Sequence, residues 1–259
     1  MSTGTGTKIN RLLISQPPGI VLLSSWLASH GYSYDLQQRY KKNNWLFPIG
    51  VGAVIRANDI LGYEGAVYAL QRQAALSVHP GGRTALALLG KAHYLELKTS
   101  KVVLFGGSGE TLPAWFRKYD WGFEIDYHET SFLPKDIGLT EIDVKNFSIK
   151  ISNAARAIME CLYLAPQAQD LMECFEIMEG LNNLPPGQVQ KLLENCQSVK
   201  VKRLFLYLAD KAKHEWLTYL DITKIDLGKG KRSIVKNGVF VHKYGITVPK
   251  EFKGNGENI

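Results

Sequence analysis

The chain has 259 residues, 45% hydrophobic and 21% charged, a globular composition that excludes a mostly disordered chain and supplies enough apolar material for a core. At roughly 150 residues per domain it predicts about two domains. No stretch approaches the ~18 uncharged apolar residues of a membrane span, so no membrane partner is expected. Residues 1–7 are rich in Ser, Thr and Gly with no apolar run behind them, so no signal peptide is expected either. Three cysteines, Cys161, Cys174 and Cys196, are an odd number without a close pair. They argue against a disulfide framework or a zinc ribbon and fit a reducing cytoplasm. The net charge of +7 is unevenly spread: residues 1–100 carry 10 basic and 4 acidic side chains, 101–195 carry 8 and 14, and 196–259 carry 13 and 6. Basic blocks attract polyanions, most often nucleic acid, although a charged solvated surface gives the same pattern.

In chain order, Ile9, Leu12 and Leu13 recur at helical spacing over 8–15, and Gln16-Pro17-Pro18-Gly19 ends that helix. A short apolar run, 20–23, follows. Ser24 can cap a helix over 25–30 that buries Trp26 and Leu27. Gly31-Tyr32 makes a tight turn, and Ser33 can cap a third helix reaching about residue 44. Two short helices joined by a Gly-containing turn form the helix-turn-helix signature. At 100° per residue, Leu36 and Tyr40 point to the core. Tyr34, Gln38, Lys41 and Lys42 occupy the opposite side, with Asp35 and Gln37 at its edges and Arg39 on the flank. The N-terminal part of such a helix faces base edges, where Gln pairs with adenine. Tyr34, Gln37 and Gln38 are therefore the expected base readers. Ser33 at the cap joins the DNA-binding set, and Arg39, Lys41 and Lys42 are expected on phosphates. An ordinary solvated helix face would look similar.

Strand-like residues 45–49, the turn Gly50-Val51-Gly52 and a strand 53–56 make a hairpin in the position of a wing. Arg56 is its only charge, and it is counted among the DNA-binding candidates. Helices over 64–75 and 84–89 close a winged helix-turn-helix domain, 1–97. The second domain, 98–259, reads as mixed α/β and rich in helices. Strands are expected at 101–105, 123–132, 147–151 and 233–236. Helices are expected at 112–119, 154–164, 168–179, 186–195 and 199–213, with a short terminal one at His214 and Trp216.

Three features of this second half invite chemistry. Gly106-Gly107-Ser108-Gly109-Glu110 follows a strand but lacks the Gly-Lys-Ser/Thr ending of a phosphate loop. Glu124, Asp126 and His128 alternate on one strand face and would suit a divalent metal, although a half-exposed strand alternates in the same way. Lys200, Lys202 and Arg203, with Lys229, Lys231 and Arg232, form a second candidate polyanion surface. No nucleophile–base arrangement is legible, and neither catalysis, a cofactor nor a metal is expected.

The runs Lys101-Val-Val-Leu-Phe-Gly106, Leu112-Pro-Ala-Trp-Phe116, the stretch from Ser198 to Asp210, Ile225-Asp-Leu-Gly-Lys-Gly-Lys-Arg232 and Tyr244-Gly-Ile-Thr-Val-Pro249 resemble the AbiEi antitoxin family. The resemblance spans about residues 8–250. It implies a winged helix-turn-helix followed by an antitoxin domain, in a type IV toxin–antitoxin operon of the abortive-infection kind. It further implies repression of that operon through inverted repeats in double-stranded operator DNA. The implied counterpart is a nucleotidyltransferase-like toxin, opposed without a stable complex. Family members often place a basic residue in a Gly-Arg-Gly-like wing turn; this chain has Val51 there. The alternatives are a stand-alone winged-helix transcription factor with a ligand-sensing or oligomerisation domain, and a metal-dependent nucleic-acid enzyme built on Glu124, Asp126 and His128.

Overall fold

The computed structural model describes residues 7–91 and 101–252. In chain order the elements are α1 (Lys8–Ser15), β1 (Leu22–Leu23), α2 (Ser24–Ser29), α3 (Tyr34–Lys42), β2 (Leu46–Gly50), β3 (Ala53–Arg56), α4 (Tyr63–Arg72), β4 (His79–Pro80) and α5 (Gly82–Leu88). After the undescribed stretch come β5 (Lys101–Gly106), α6 (Ala114–Lys118), β6 (Glu124–Glu129), β7 (Leu139–Val144), β8 (Phe147–Ser152), α7 (Ala154–Leu164), α8 (Leu171–Glu179), α9 (Pro186–Asn195) and α10 (Val199–Lys211). Short 3-10 turns and the strands β9 (Arg232–Ser233), β10 (Val239–Val241) and β11 (Ile246–Val248) complete the chain. Two compact units emerge: residues 1–79, 100–129 and 141–151 in one, and 80–99, 130–140 and 152–259 in the other. The expected division at 97/98 lies outside the described residues.

The first unit begins as a winged helix-turn-helix. Strand order β1-β3-β2, all antiparallel, places Leu22 opposite Val54 and Phe47 opposite Ile55. The order follows from the chain: β1 is laid down before the helix pair, and the β2–β3 hairpin then returns with β3 against it. Ile9, Leu12, Ile20, Leu22, Leu27, Tyr40, Leu46 and Val54 form the core, with Leu36 packed at its edge. The spacing that predicted the inward sides of α1 and α3 thus matches their packing. Proline at 17 and 18 stops α1, and the Gln16 N–H closes its last turn on the Leu12 carbonyl. β5 pairs in parallel with β6, and α6 packs against β2 through Trp115.

The second unit is organised around α7, which packs against α5, α8, α9 and α10. Side-chain caps set the starts of three of these helices: Asn153 accepts from the Arg156 N–H, Asp170 from Glu173 and Ser198 from Val201. The Asp170 cap explains why α8 starts at Leu171, three residues after the expected start. β10 and β11 pair antiparallel, and β9 joins β11 in parallel. β7, β10 and β11 lie where the sequence predicts no strand. The strand expected over 233–236 is only the pair Arg232–Ser233.

A buried ion pair ties this unit together. Arg156 is 3% exposed at its side chain and Glu160 0%, with Nε to Oε1 at 2.8 Å. The Glu160 carboxylate also accepts from the Gly82 N–H at 2.8 Å and from Ser152 Oγ at 2.7 Å. Arg156 Nη1 donates to the carbonyls of Pro134 and Ile137 at 2.7 and 2.5 Å. One network thus fixes the start of α5, the face of α7 and the 130–140 segment. Glu160→Ala would leave the guanidinium buried without its counter-charge, and should cost about 3–5 kcal/mol in urea unfolding. Glu160→Gln, whose amide oxygen can still accept from Gly82 and Ser152 but whose NH2 would face the Arg156 Nε–H, should also destabilise, since it removes the same counter-charge.

Candidate nucleic-acid interface

The helix-turn-helix turn is locked from inside. Gly31 takes φ +85°, a conformation that suits glycine, and the Tyr32 N–H returns to the Leu27 carbonyl at 2.9 Å. The turn leaves the carbonyls of Ser24 and Tyr32 facing α3. Gln37 Nε2 donates to both, at 3.0 and 2.8 Å, and the residue is 1% exposed. The expectation that Gln37 reads bases is corrected: its amide faces inward, where carbonyls of α2 and of the turn hold it.

The outward side of α3 is polar. Ser33 caps the helix, its Oγ accepting from the Leu36 N–H at 3.3 Å. Tyr34 is 60% exposed, Gln38, Arg39 and Lys42 stand in solvent, and Lys41 is half-buried. Asp35 shares the first turn, and Arg39, Lys41 and Lys42 fall in the last. Each sign lies where it complements the helix dipole, an arrangement that also suits a plain surface helix.

The wing differs from expectation. Val51 at its tip is 93% exposed. Arg56 does not project outward: its Nη2 donates to the Gln16 carbonyl at the end of α1, and burial lowers its pKa. Arg56 is thus a tie between β3 and α1. Its partner is again a backbone carbonyl, where two prolines end the helix.

The second basic cluster divides. α10 is buried on nearly every side, and Lys202 and Arg203 are 4% and 5% exposed. Lys200 Nζ donates to the carbonyls of Tyr163 and Ala165 at 2.7 and 2.6 Å, and burial lowers its pKa. Arg203 clamps the segment beyond α10: Nε meets the Leu227 carbonyl at 2.8 Å, Nη2 that of Gly228 at 3.0 Å, and Nη1 those of Gly230 and Gly245 at 2.7 and 3.1 Å. Lys202 and Arg203 are therefore corrected from surface cations to interior ones, and Lys200 to a half-buried one turned to backbone carbonyls. Lys229, Lys231 and Arg232 are exposed on the segment that Arg203 holds, with Lys231 Nζ 4.8 Å from the Phe240 ring centre.

The remaining candidate features face neighbouring groups of the same unit. In the glycine-rich loop, Glu110 accepts from the Ser77 N–H at 2.9 Å, from Ser77 Oγ at 2.8 Å and from the Gly107 N–H at 3.3 Å. Glu129 accepts from the Gly109 N–H at 2.6 Å. These carboxylates occupy the place that an incoming phosphate would need. On the β6 row, Lys101 Nζ lies 3.3 Å from Glu124 and 3.0 Å from Asp126, and His128 Nε2 lies 3.1 Å from Asp126. Among the described residues no three His, Cys, Asp or Glu side chains gather as a metal site. All three cysteines are buried, and burial pushes each thiol pKa up, that of Cys196 to about 11. Thiols so shifted remain protonated at neutral pH and are poor nucleophiles. Sequence reading missed the inward role of Gln37, Arg56 and Arg203; proximity of each to a Gly- or Pro-marked chain break in the fold is not a sequence-local signal. The Arg156–Glu160 pair did have one, its i,i+4 spacing.

Comparison with known proteins accords with this architecture. A family model described as "Transcriptional regulator, AbiEi antitoxin N-terminal domain" matches residues 5–97, and one described as "Transcriptional regulator, AbiEi antitoxin, Type IV TA system" matches residues 99–249. No curated protein matches the sequence. Among solved structures, the RV2827C protein from Mycobacterium tuberculosis is similar with a TM-score of 0.57 at 12% identity, over 92% of this chain and 88% of that one, a likeness of fold. Among the described residues no helix is long and apolar enough to cross a membrane. With both segments matched in order, the chain belongs to the AbiEi antitoxin family of transcriptional regulators of type IV toxin–antitoxin systems.

Proposed function

We propose that this protein represses its own operon by binding inverted repeats upstream of it, and counters a nucleotidyltransferase-like toxin encoded with it in the cytoplasm. Residues 1–97 carry the DNA reading in this proposal and residues 98–259 the antitoxin action. The observation that supports it most is the exposed polar side of α3, the second helix of a helix-turn-helix, carrying Tyr34, Gln38, Arg39 and Lys42. Laid in the major groove, α3 would bring Tyr34 and Gln38 to base edges, with Ser33, Arg39, Lys41 and Lys42 toward phosphates. Lys229, Lys231 and Arg232 offer a further polyanion contact, on a segment that Arg203 already holds in place.

The test is fluorescence anisotropy of the full chain on duplex DNA from upstream of its gene and on unrelated duplex, across salt concentrations. Gln38→Ala should lose roughly 1–3 kcal/mol of preference for the upstream duplex while binding unrelated DNA as before. Equal losses on both duplexes would remove it as a base reader. Lys42→Gln should weaken both complexes alike and reduce the slope of log K against log salt by about 0.9. Gln37→Ala should behave differently again. By removing the donor that two carbonyls share it should lower stability by about 1–3 kcal/mol, read by thermal unfolding, whatever the DNA.

A further inference from the structure

The wing turn Gly50-Val51-Gly52 holds no cation, and Arg56 faces inward. A neighbouring element stands beside this turn within the same unit. α6 packs against β2 at Gly50: a Cβ placed there would lie 2.7 Å from the Trp115 Cβ and 3.0 Å from its Cα. Only glycine allows the helix so close. Trp115 and Phe116 are buried and anchor α6, and the two residues that follow, Arg117 and Lys118, are exposed cations. Lys118 is three residues past Trp115, about 4.5 Å further along the axis and on a neighbouring side of the helix. Arg117 is oriented by its Nε bond to the Leu112 carbonyl at 3.1 Å. The acid next in sequence, Asp120, turns its carboxylate to the Gly122 N–H at 2.9 Å.

We propose that Lys118, with Arg117 beside it, supplies the DNA-phosphate contact that the wing's own turn lacks. The DNA-binding surface then runs from α3 past the wing onto α6, and so draws on both family segments. The inference rests on the reading of α3 as the recognition helix and extends it beyond residue 97. Val51 leaves the wing tip uncharged, and α6 brings positive charge to its side through a contact that requires Gly50.

The experiment uses the full chain, the upstream duplex, an unrelated duplex and a salt titration. Lys118→Gln should weaken binding to both duplexes by the same factor, about fivefold near physiological salt, and lower the salt slope by about 0.9. Arg117→Gln with Lys118→Gln should lower it further, and Lys118→Arg should bind as the wild type does. Gly50→Ala, which displaces α6 while keeping both cations, should weaken binding in the same direction. If that variant unfolds, the surface variants still decide the question. Unchanged affinity and slope in the double glutamine variant, with Lys42→Gln still weakened, would overturn the α6 contact and leave the α3 reading standing. Loss in the α6 variants with no effect of Lys42→Gln would support the α6 contact and remove Lys42 from the phosphate contacts, with Gln38→Ala then deciding α3 as the recognition helix. No effect in either set would overturn both.

Discussion

Carbonyl oxygens at turns and helix ends draw long donor side chains inward in this protein. Gln37 answers the carbonyls of Ser24 and Tyr32, Arg56 that of Gln16, Lys200 those of Tyr163 and Ala165, and Arg203 those of four residues beyond α10. A buried carbonyl without a partner costs about as much as the lost hydrogen bond, so these donors are held firmly. The consequence reaches function. A cation used in this way is withdrawn from the surface, whereas the cations on the outer side of α3, at the end of α6 and in the segment around Lys229 and Lys231 stay exposed to a polyanion.

The acidic middle of the chain follows the same logic from the other side. Glu110 and Glu129 accept from backbone N–H groups of the glycine-rich loop, and Glu124 and Asp126 lie against Lys101. Arg72 and Glu141 pair at 2.9 Å on the surface. Carboxylates paired with a cation in the first unit, Glu141 with Arg72 and the Glu124–Asp126 pair in part with Lys101, oppose the field of α3 less than the sequence's alternating blocks of charge suggest. At physiological ionic strength a charge acts over a Debye length of about 8 Å, so this local pairing matters more to a phosphate than the net charge of a block.

Much of the fold is legible because helices α3 and α9 each bury one stripe and begin at a readable cap or proline, Ser33 and Pro186, while α7, buried on every side from Ala155 to Leu162, is marked by its cap Asn153. Periodicity also placed the wing, whose strands are separated by a glycine-marked turn. It failed where its premise failed. α10 is buried from Val201 to Ala209, so its charged residues do not mark a solvated side. Spacing puts Gln37 at the edge of the polar side, and nothing local shows that two carbonyls from the preceding helix and turn lie within its reach. β10 and β11 are three residues each, too short for alternation to register. The candidate site was therefore legible as a helix and only partly as a set of residues: Tyr34, Gln38, Arg39 and Lys42 are outward, while Gln37, Arg56, Lys202 and Arg203 are not.

The first compact unit does not coincide with the first family segment. It takes in β5, α6, β6 and part of the β7–β8 pair, all from beyond residue 97. Trp115 against Gly50 shows why such a unit is hard to divide: removing α6 would take away the buried Trp115 and Phe116 that pack beside the wing strand. Gly50 therefore links two properties that are usually separable. It permits the close packing that steadies β2, an edge strand of its sheet, and it fixes how near the cations of α6 stand to the wing. A substitution there cannot alter one without altering the other, whereas Val51, with its side chain in solvent, is free to vary without disturbing either.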